Sequence, residues 1–150
     1  MIMADPGQAR VVSVQQLNCA RGEVSTLSAL EKYAGDNHCI ALLIQEPHLD
    51  RGGLPPSHPT FEMFIPTHTK PRCVTYVRKQ SGITATVVFT HLDSFLGIRI
   101  NLPEHPPTGV DSPRAVTLYN FYSSWQPTTV ANLLSSGNFF PDTECLILGD

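Results

Sequence analysis

Positive charge is in short supply in this sequence. Ten Lys and Arg stand against 13 Asp and Glu, for a formal net charge of −3 and a pI near 6.0. That excludes a basic stripe able to hold a polyanion by bulk electrostatics, so any nucleic-acid contact has to be local or assisted by a bound cation. Long apolar runs are missing too. The longest uninterrupted aliphatic stretch is Ile40 to Ile44, far short of the about 20 residues needed to cross a bilayer. The opening MIMADPGQAR has no basic segment followed by an apolar one, so it does not read as a secretory leader. A soluble, intracellular protein with no membrane partner is expected.

Cysteine is sparse and never paired as CxxC: Cys19, Cys39, Cys73 and Cys145 each lie in or beside an apolar run. That pattern suits buried, reduced thiols better than a structural zinc site. Of the six histidines, His38, His48, His58 and His68 recur every ten residues, a period that matches neither a helix face nor a strand face. Tryptophan occurs once, as Trp125, either a stacking platform for a base or a cover for the edge of the core.

What is present suits one ordinary domain: 150 residues, 41% hydrophobic and 15% charged. Residues 1–10 read as a flexible N-terminus and 11–150 as the domain. Val11 to Asn18 nearly alternates and reads as a strand with Val12, Val14 and Asn18 on one parity. From Ser25 to Gly35, Leu27, Leu30 and Ala34 form a helical stripe, with Ser25 as the expected N-cap and Gly35 as the stop. Cys39 to Gln45 is a continuous apolar run, the mark of a strand buried on both faces.

Pro47 to Pro59 reads as a long loop. Short strand-like runs follow at Phe61–Ile65, Cys73–Arg78, Thr84–Phe89 and Phe95–Ile100, with His91 expected in the turn between the last two. Leu102 to Pro113 holds four prolines and cannot supply a ladder of donors. Ala115 to Tyr122 resumes as a strand. Pro127, Val130, Leu133 and Leu134 mark a second short helix, and Glu144 to Gly149 a final buried strand. Strands outnumber helices, and the helices only connect them. The expected fold is α+β, a two-layer β-sandwich flanked by helices.

Four polar residues stand where apolar strands end: Asn18 after VVSVQQL, Glu46 after IALLIQ, Tyr122 after VTLYNF and Asp150 after CLILG. A site built on one rim of a sandwich needs that placement, because the sheets fix positions while the rim stays open to substrate. The carboxylates of Glu46 and Asp150 are hard oxygen donors suited to Mg²⁺ or Mn²⁺, and Asn18 adds an amide oxygen. Arg21 and Arg72 are candidate phosphate contacts, since guanidinium forks match phosphate oxygens.

In order, Gln16-Leu-Asn18-Cys, Leu43-Ile-Gln-Glu46-Pro, Arg72-Cys-Val-Thr-Tyr-Val-Arg78, Leu118-Tyr-Asn-Phe-Tyr122 and Leu146-Ile-Leu-Gly-Asp150 resemble the successive motifs of the endonuclease/exonuclease/phosphatase superfamily. Within it, QEP and PRCVTYVRK look like the endonuclease domain of non-LTR retrotransposon polyproteins. The resemblance implies a DNase I-like fold and divalent-metal-dependent hydrolysis of DNA phosphodiesters. The nucleus is one compartment it implies. It makes Glu46 a metal ligand and has Asn18 help hold metal or phosphate. Tyr122 would hydrogen-bond the scissile phosphate, and Asp150 would orient or deprotonate the attacking water.

The family pattern continues to an Asn two residues after that Asp, then to a later Asp and a catalytic His. These 150 residues are therefore expected to hold only the N-terminal part of the domain, truncated at its C-terminal side, and not to turn over DNA unaided. Two other readings stay open. One is a phosphatase or phospholipid esterase on the same scaffold. The other is an inactive relic acting at most as a binding module.

Overall fold

A computed structural model of the chain describes residues 12–67, 70–102, 115–122 and 145–149, the side chains of 145–148 excepted. Two four-stranded sheets pack face to face. In the first, β1 (Ser13–Asn18), β2 (Cys39–Gln45), β4 (Cys73–Arg78) and β3 (Phe61–Phe64) lie in the order β1-β2-β4-β3. The second runs β5 (Thr84–His91), β6 (Phe95–Asn101), β7 (Ala115–Phe121) and β8 (Cys145–Gly149) in chain order. Each sheet has one parallel pair, β1 with β2 and β7 with β8, beside antiparallel neighbours. The two-layer sandwich is as expected. The helix anticipated around Pro127 to Leu134 lies outside the described residues.

Strand periodicity explains the packing. On β2, Ala41 and Leu43 face the second sheet, where they meet Leu96, Ile98, Ile100 and Leu118 in one core. Leu42 and Ile44 point the other way, onto Ala29 and Leu30 of α1 (Glu23–Ala34). Every residue of β2 is buried, so the continuous apolar run is the consequence of a central strand covered on both faces.

The helix departs from its expected frame. It begins at Glu23 after Gly22, with no side-chain cap, and Ser25 lies inside its first turn. Thr26 donates its hydroxyl to Gly22 O at 2.7 Å and accepts the His48 N–H at 3.0 Å. This buried polar residue, with Ala29 and Leu30, forms the inward stripe, and Leu27 is left 44% exposed. Gly35 ends the helix as expected. Beyond it, Arg78 on β4 reaches back to donate from Nη2 to Tyr33 O, Ala34 O and Asp36 O, and from Nε to Cys39 O. The long loop after Glu46 is pinned by the Tyr76 hydroxyl on Pro56 O at 2.6 Å and by His58 on Glu31 at 2.9 Å.

On the outer face of the second sheet, Phe89, Phe95, Tyr119 and Phe121 form an aromatic cluster around Gly97. A Cβ on Gly97 would stand 2.7 Å from Tyr119 Cε1 and 3.2 Å from Phe89 Cβ, and the latter cannot move without its strand. Gly97→Val is expected to cost about 1–3 kcal/mol of stability through overpacking, read from the midpoint of urea unfolding. An unchanged midpoint would show that the cluster is not packed this way.

Cys19, Cys39 and Cys73 are free and buried; the side chain of Cys145 lies outside the described residues. Burial pushes all three thiols, and the phenol of Tyr76, above their ordinary values. These groups ionise more readily in the unfolded chain. Their share of stability is complete below the ordinary thiol value of 9.0 and falls as pH rises past it. A thiol-exchange reagent at pH 8 is accordingly expected to react slowly with the native chain and fast in urea; fast native reaction would contradict the burial.

Candidate active site at one rim of the sandwich

Strand directions bring the ends named from the sequence to one edge. Because β1 and β2 are parallel, Asn18 pairs in register with Gln45, the residue before Glu46. Because β4 is antiparallel to β2, its first residue, Cys73, also pairs with Gln45, which places Arg72 beside Glu46. In the second sheet Phe121 pairs with both Phe95 and Gly149, so Tyr122, the β5–β6 turn and the end of β8 share an edge.

Backbone hydrogen bonds tie these ends together. Glu46 N–H donates to Arg72 O at 2.7 Å, and Glu46 O accepts from Arg21 N–H at 2.7 Å. Arg72 N–H donates to Asp93 O at 2.6 Å, joining the two sheets, and Tyr122 N–H donates to Ser94 O at 2.9 Å. Asp150 itself lies outside the described residues, as does Trp125.

This rim is also where the backbone is forced. Among the described residues the non-glycine positions with left-handed φ are Ala20 (48°), Arg21 (63°), Glu46 (48°) and Leu92 (53°). All four sit in connections at this edge. Such conformations cost about 1–3 kcal/mol each and persist only where surrounding bonds over-determine them, which is characteristic of functional sites. Here those bonds are visible. Asn18 Oδ1 accepts the Ala20 N–H at 2.7 Å, fixing the turn that presents Arg21.

The candidate residues divide by what they touch. Glu46 is half-buried, and its carboxylate enters neither ion pair found among the described residues. Arg21 donates from Nη1 to Pro47 O at 3.2 Å and Pro71 O at 3.1 Å, so this nitrogen holds the flanking loops. Arg72 pairs with Asp93 at 3.3 Å and lies 5.6 Å from the centre of the Tyr122 ring, a cation–π arrangement that orients both side chains. His91, expected in a turn, is instead the last residue of β5, with the turn beginning at Leu92.

Below the rim lies a set of amides that sequence reasoning passed over. Gln16 donates to Gln45 at 2.7 Å, and Gln45 donates to Asn120 at 2.6 Å across the two sheets. Asn120 in turn donates to Val74 O at 2.9 Å, Thr75 Oγ1 at 3.2 Å and Ile44 O at 3.4 Å. Gln45 and Asn120 are fully buried. The signal was there: by strand parity Asn120 falls on the core face with Leu118, where a polar side chain requires partners.

Among the described residues no group of three or more His, Cys, Asp or Glu forms a ready-made metal cluster, and no helix is long and apolar enough to cross a membrane. Among the described residues the rim brings the Glu46 carboxylate, which enters neither ion pair, to the strand end adjoining that of Asn18 with its amide oxygen. That donor set fits Mg²⁺, which keeps several waters and uses one or two carboxylates plus substrate oxygens, and does not fit a closed zinc site.

No protein-family model and no curated protein sequence matches the chain. Its fold is similar to a solved structure, the endonuclease domain of TRAS1, a telomere-specific non-LTR retrotransposon. The TM-score is 0.64 at 17% identity, and the match covers 91% of this chain. The chain spans 57% of the length of that domain. The sandwich with its helix is therefore a DNase I-like α+β architecture.

Proposed function

We propose that this rim is the metal-facing half of a DNA phosphodiesterase site. What supports the reading most is the convergence of Asn18, Glu46 and Tyr122 on hydrogen-bonded neighbours at one edge, with every left-handed non-glycine residue described lying in the connections of that edge. The similarity of fold to a retrotransposon endonuclease domain points to the same chemistry. Glu46, with Asn18 beside it, would hold a Mg²⁺ or Mn²⁺ ion. When bound, the ion supplies charge stabilisation to the phosphate under attack.

The chain's own groups do the rest. The Tyr122 hydroxyl donates to a phosphate oxygen, its ring held by Arg72. The guanidinium groups of Arg21 and Arg72 draw the DNA backbone to an edge whose protein is otherwise not basic. Asp150, next in sequence after the β8 residue that pairs with Phe121, orients the attacking water.

Plasmid nicking tests this, assayed with Mg²⁺ and with Mn²⁺ on residues 1–150 and on a chain spanning the full length of the similar domain, of which residues 1–150 cover 57%. EDTA-sensitive nicking by the chain of full domain length is the expected result, since a metal at the phosphate under attack is worth several kcal/mol. Hydrolysis of a soluble phosphomonoester with no nicking would overturn the choice of DNA as substrate.

A further inference from the structure

The geometry points to the Gln16–Gln45–Asn120 amide chain as a positioning network for the rim, a role that rests on the metal-site reading above. Each member stands one or two residues before a candidate site residue: Gln16 before Asn18, Gln45 before Glu46, Asn120 before Tyr122. The chain of bonds thus runs directly behind the site and connects three strands of two sheets.

Its direction is fixed by chemistry. Ile44 O and Val74 O can only accept, so Asn120 must turn its NH₂ toward them and its Oδ1 toward Gln45. Gln45 must then present Nε2 to Asn120, leaving its Oε1 for the Gln16 amide. Only one arrangement of the three side chains satisfies every partner, and a fully satisfied buried network of this kind is rigid. An apolar pair at Gln45 and Asn120 would hold the sheets together as well, but it would slide. The amides set the distance and register between the end of β2, which carries Glu46, and the end of β7, which carries Tyr122.

The test compares Gln45→Met and Gln16→Met with the wild-type chain, well below each variant's own melting midpoint, by electron paramagnetic resonance titration of Mn²⁺. Gln16 is the exposed end of the network, so replacing its amide with Met leaves the core filled. Gln45→Met is expected to weaken Mn²⁺ binding by about tenfold and Gln16→Met by a smaller factor, in the way that partners behind metal ligands act. Amide hydrogen exchange at Glu46 and Tyr122 is expected to quicken while that of Leu42 and Leu118 stays slow. Wild-type Mn²⁺ affinity in both folded variants overturns the proposal, and if Gln45→Met does not fold, Gln16→Met decides alone.

Glu46→Gln is the control that separates the two claims. Unchanged Mn²⁺ binding in Glu46→Gln sinks the metal-site reading itself. Exchange at Glu46 and Tyr122 then decides whether the amides position the rim at all: faster exchange upholds that role, and unchanged exchange ends it.

Discussion

Arg78→Met is expected to cost about 3 kcal/mol or more, the largest loss of stability from any single change considered, because it removes four hydrogen bonds from a charged donor at once. Arg78 is 8% exposed, and no carboxylate among the described residues forms an ion pair with it. Its counter-charge is the carbonyl end of α1, where unsatisfied C=O groups carry about half a negative charge. The guanidinium also lies 5.3 Å from the centre of the Phe61 ring. Met keeps the length of the stem but leaves buried carbonyls without their donor. Arg78→Lys is expected to recover less than half of the loss, since a single ammonium cannot reach Tyr33, Asp36 and Cys39 together. Urea unfolding of the three proteins reads this directly. A loss below about 1 kcal/mol in Arg78→Met would mean that water replaces the guanidinium and that the helix end is not held from β4.

The second large effect is on catalysis. Glu46→Gln, in whatever form of the chain nicks DNA, is expected to lower the rate by about 10²-fold or more, because a metal at the phosphate is worth several kcal/mol and each 1.36 kcal/mol is a factor of ten. The change is isosteric, and Glu46 is bonded to the fold through its backbone N–H and C=O, so folding should survive. Raising Mn²⁺ should recover part of the lost rate if the defect is one of affinity. Nicking that is insensitive to Glu46→Gln would assign the chemistry elsewhere.

The strands were legible where burial alone decides the pattern. Cys39–Gln45 coincides with the sequence reading because a central strand buried on both faces leaves a continuous apolar run. Cys73–Arg78 coincides because its Val and Tyr residues keep the strand signal although Thr75 and Arg78 interrupt the apolar run. The helix was legible in place but not in frame. Ser25 is a good N-cap by type, yet the turn is set by Asn18 and by Thr26 bonding back to Gly22, and a buried threonine is invisible to a stripe of hydrophobic residues.

Asn18, Glu46 and Tyr122 could be singled out because a strand's end is also an edge of its sheet. Whether those edges coincide depends on strand direction and on which sheet each strand joins, and no local pattern encodes either. The Gln45–Asn120 bond spans 75 residues, so each amide looked like an ordinary polar residue within a strand.

Mn²⁺-induced broadening of backbone amide resonances tests the central claim most directly. In an ¹⁵N-labelled chain, the amides of Asn18, Cys19, Glu46 and Tyr122 should broaden first as Mn²⁺ is added, and the effect should vanish in Glu46→Gln. Broadening that begins at the turn around Asp50 or at Glu31 on the helix, or that persists unchanged in Glu46→Gln, would contradict a metal site at this rim.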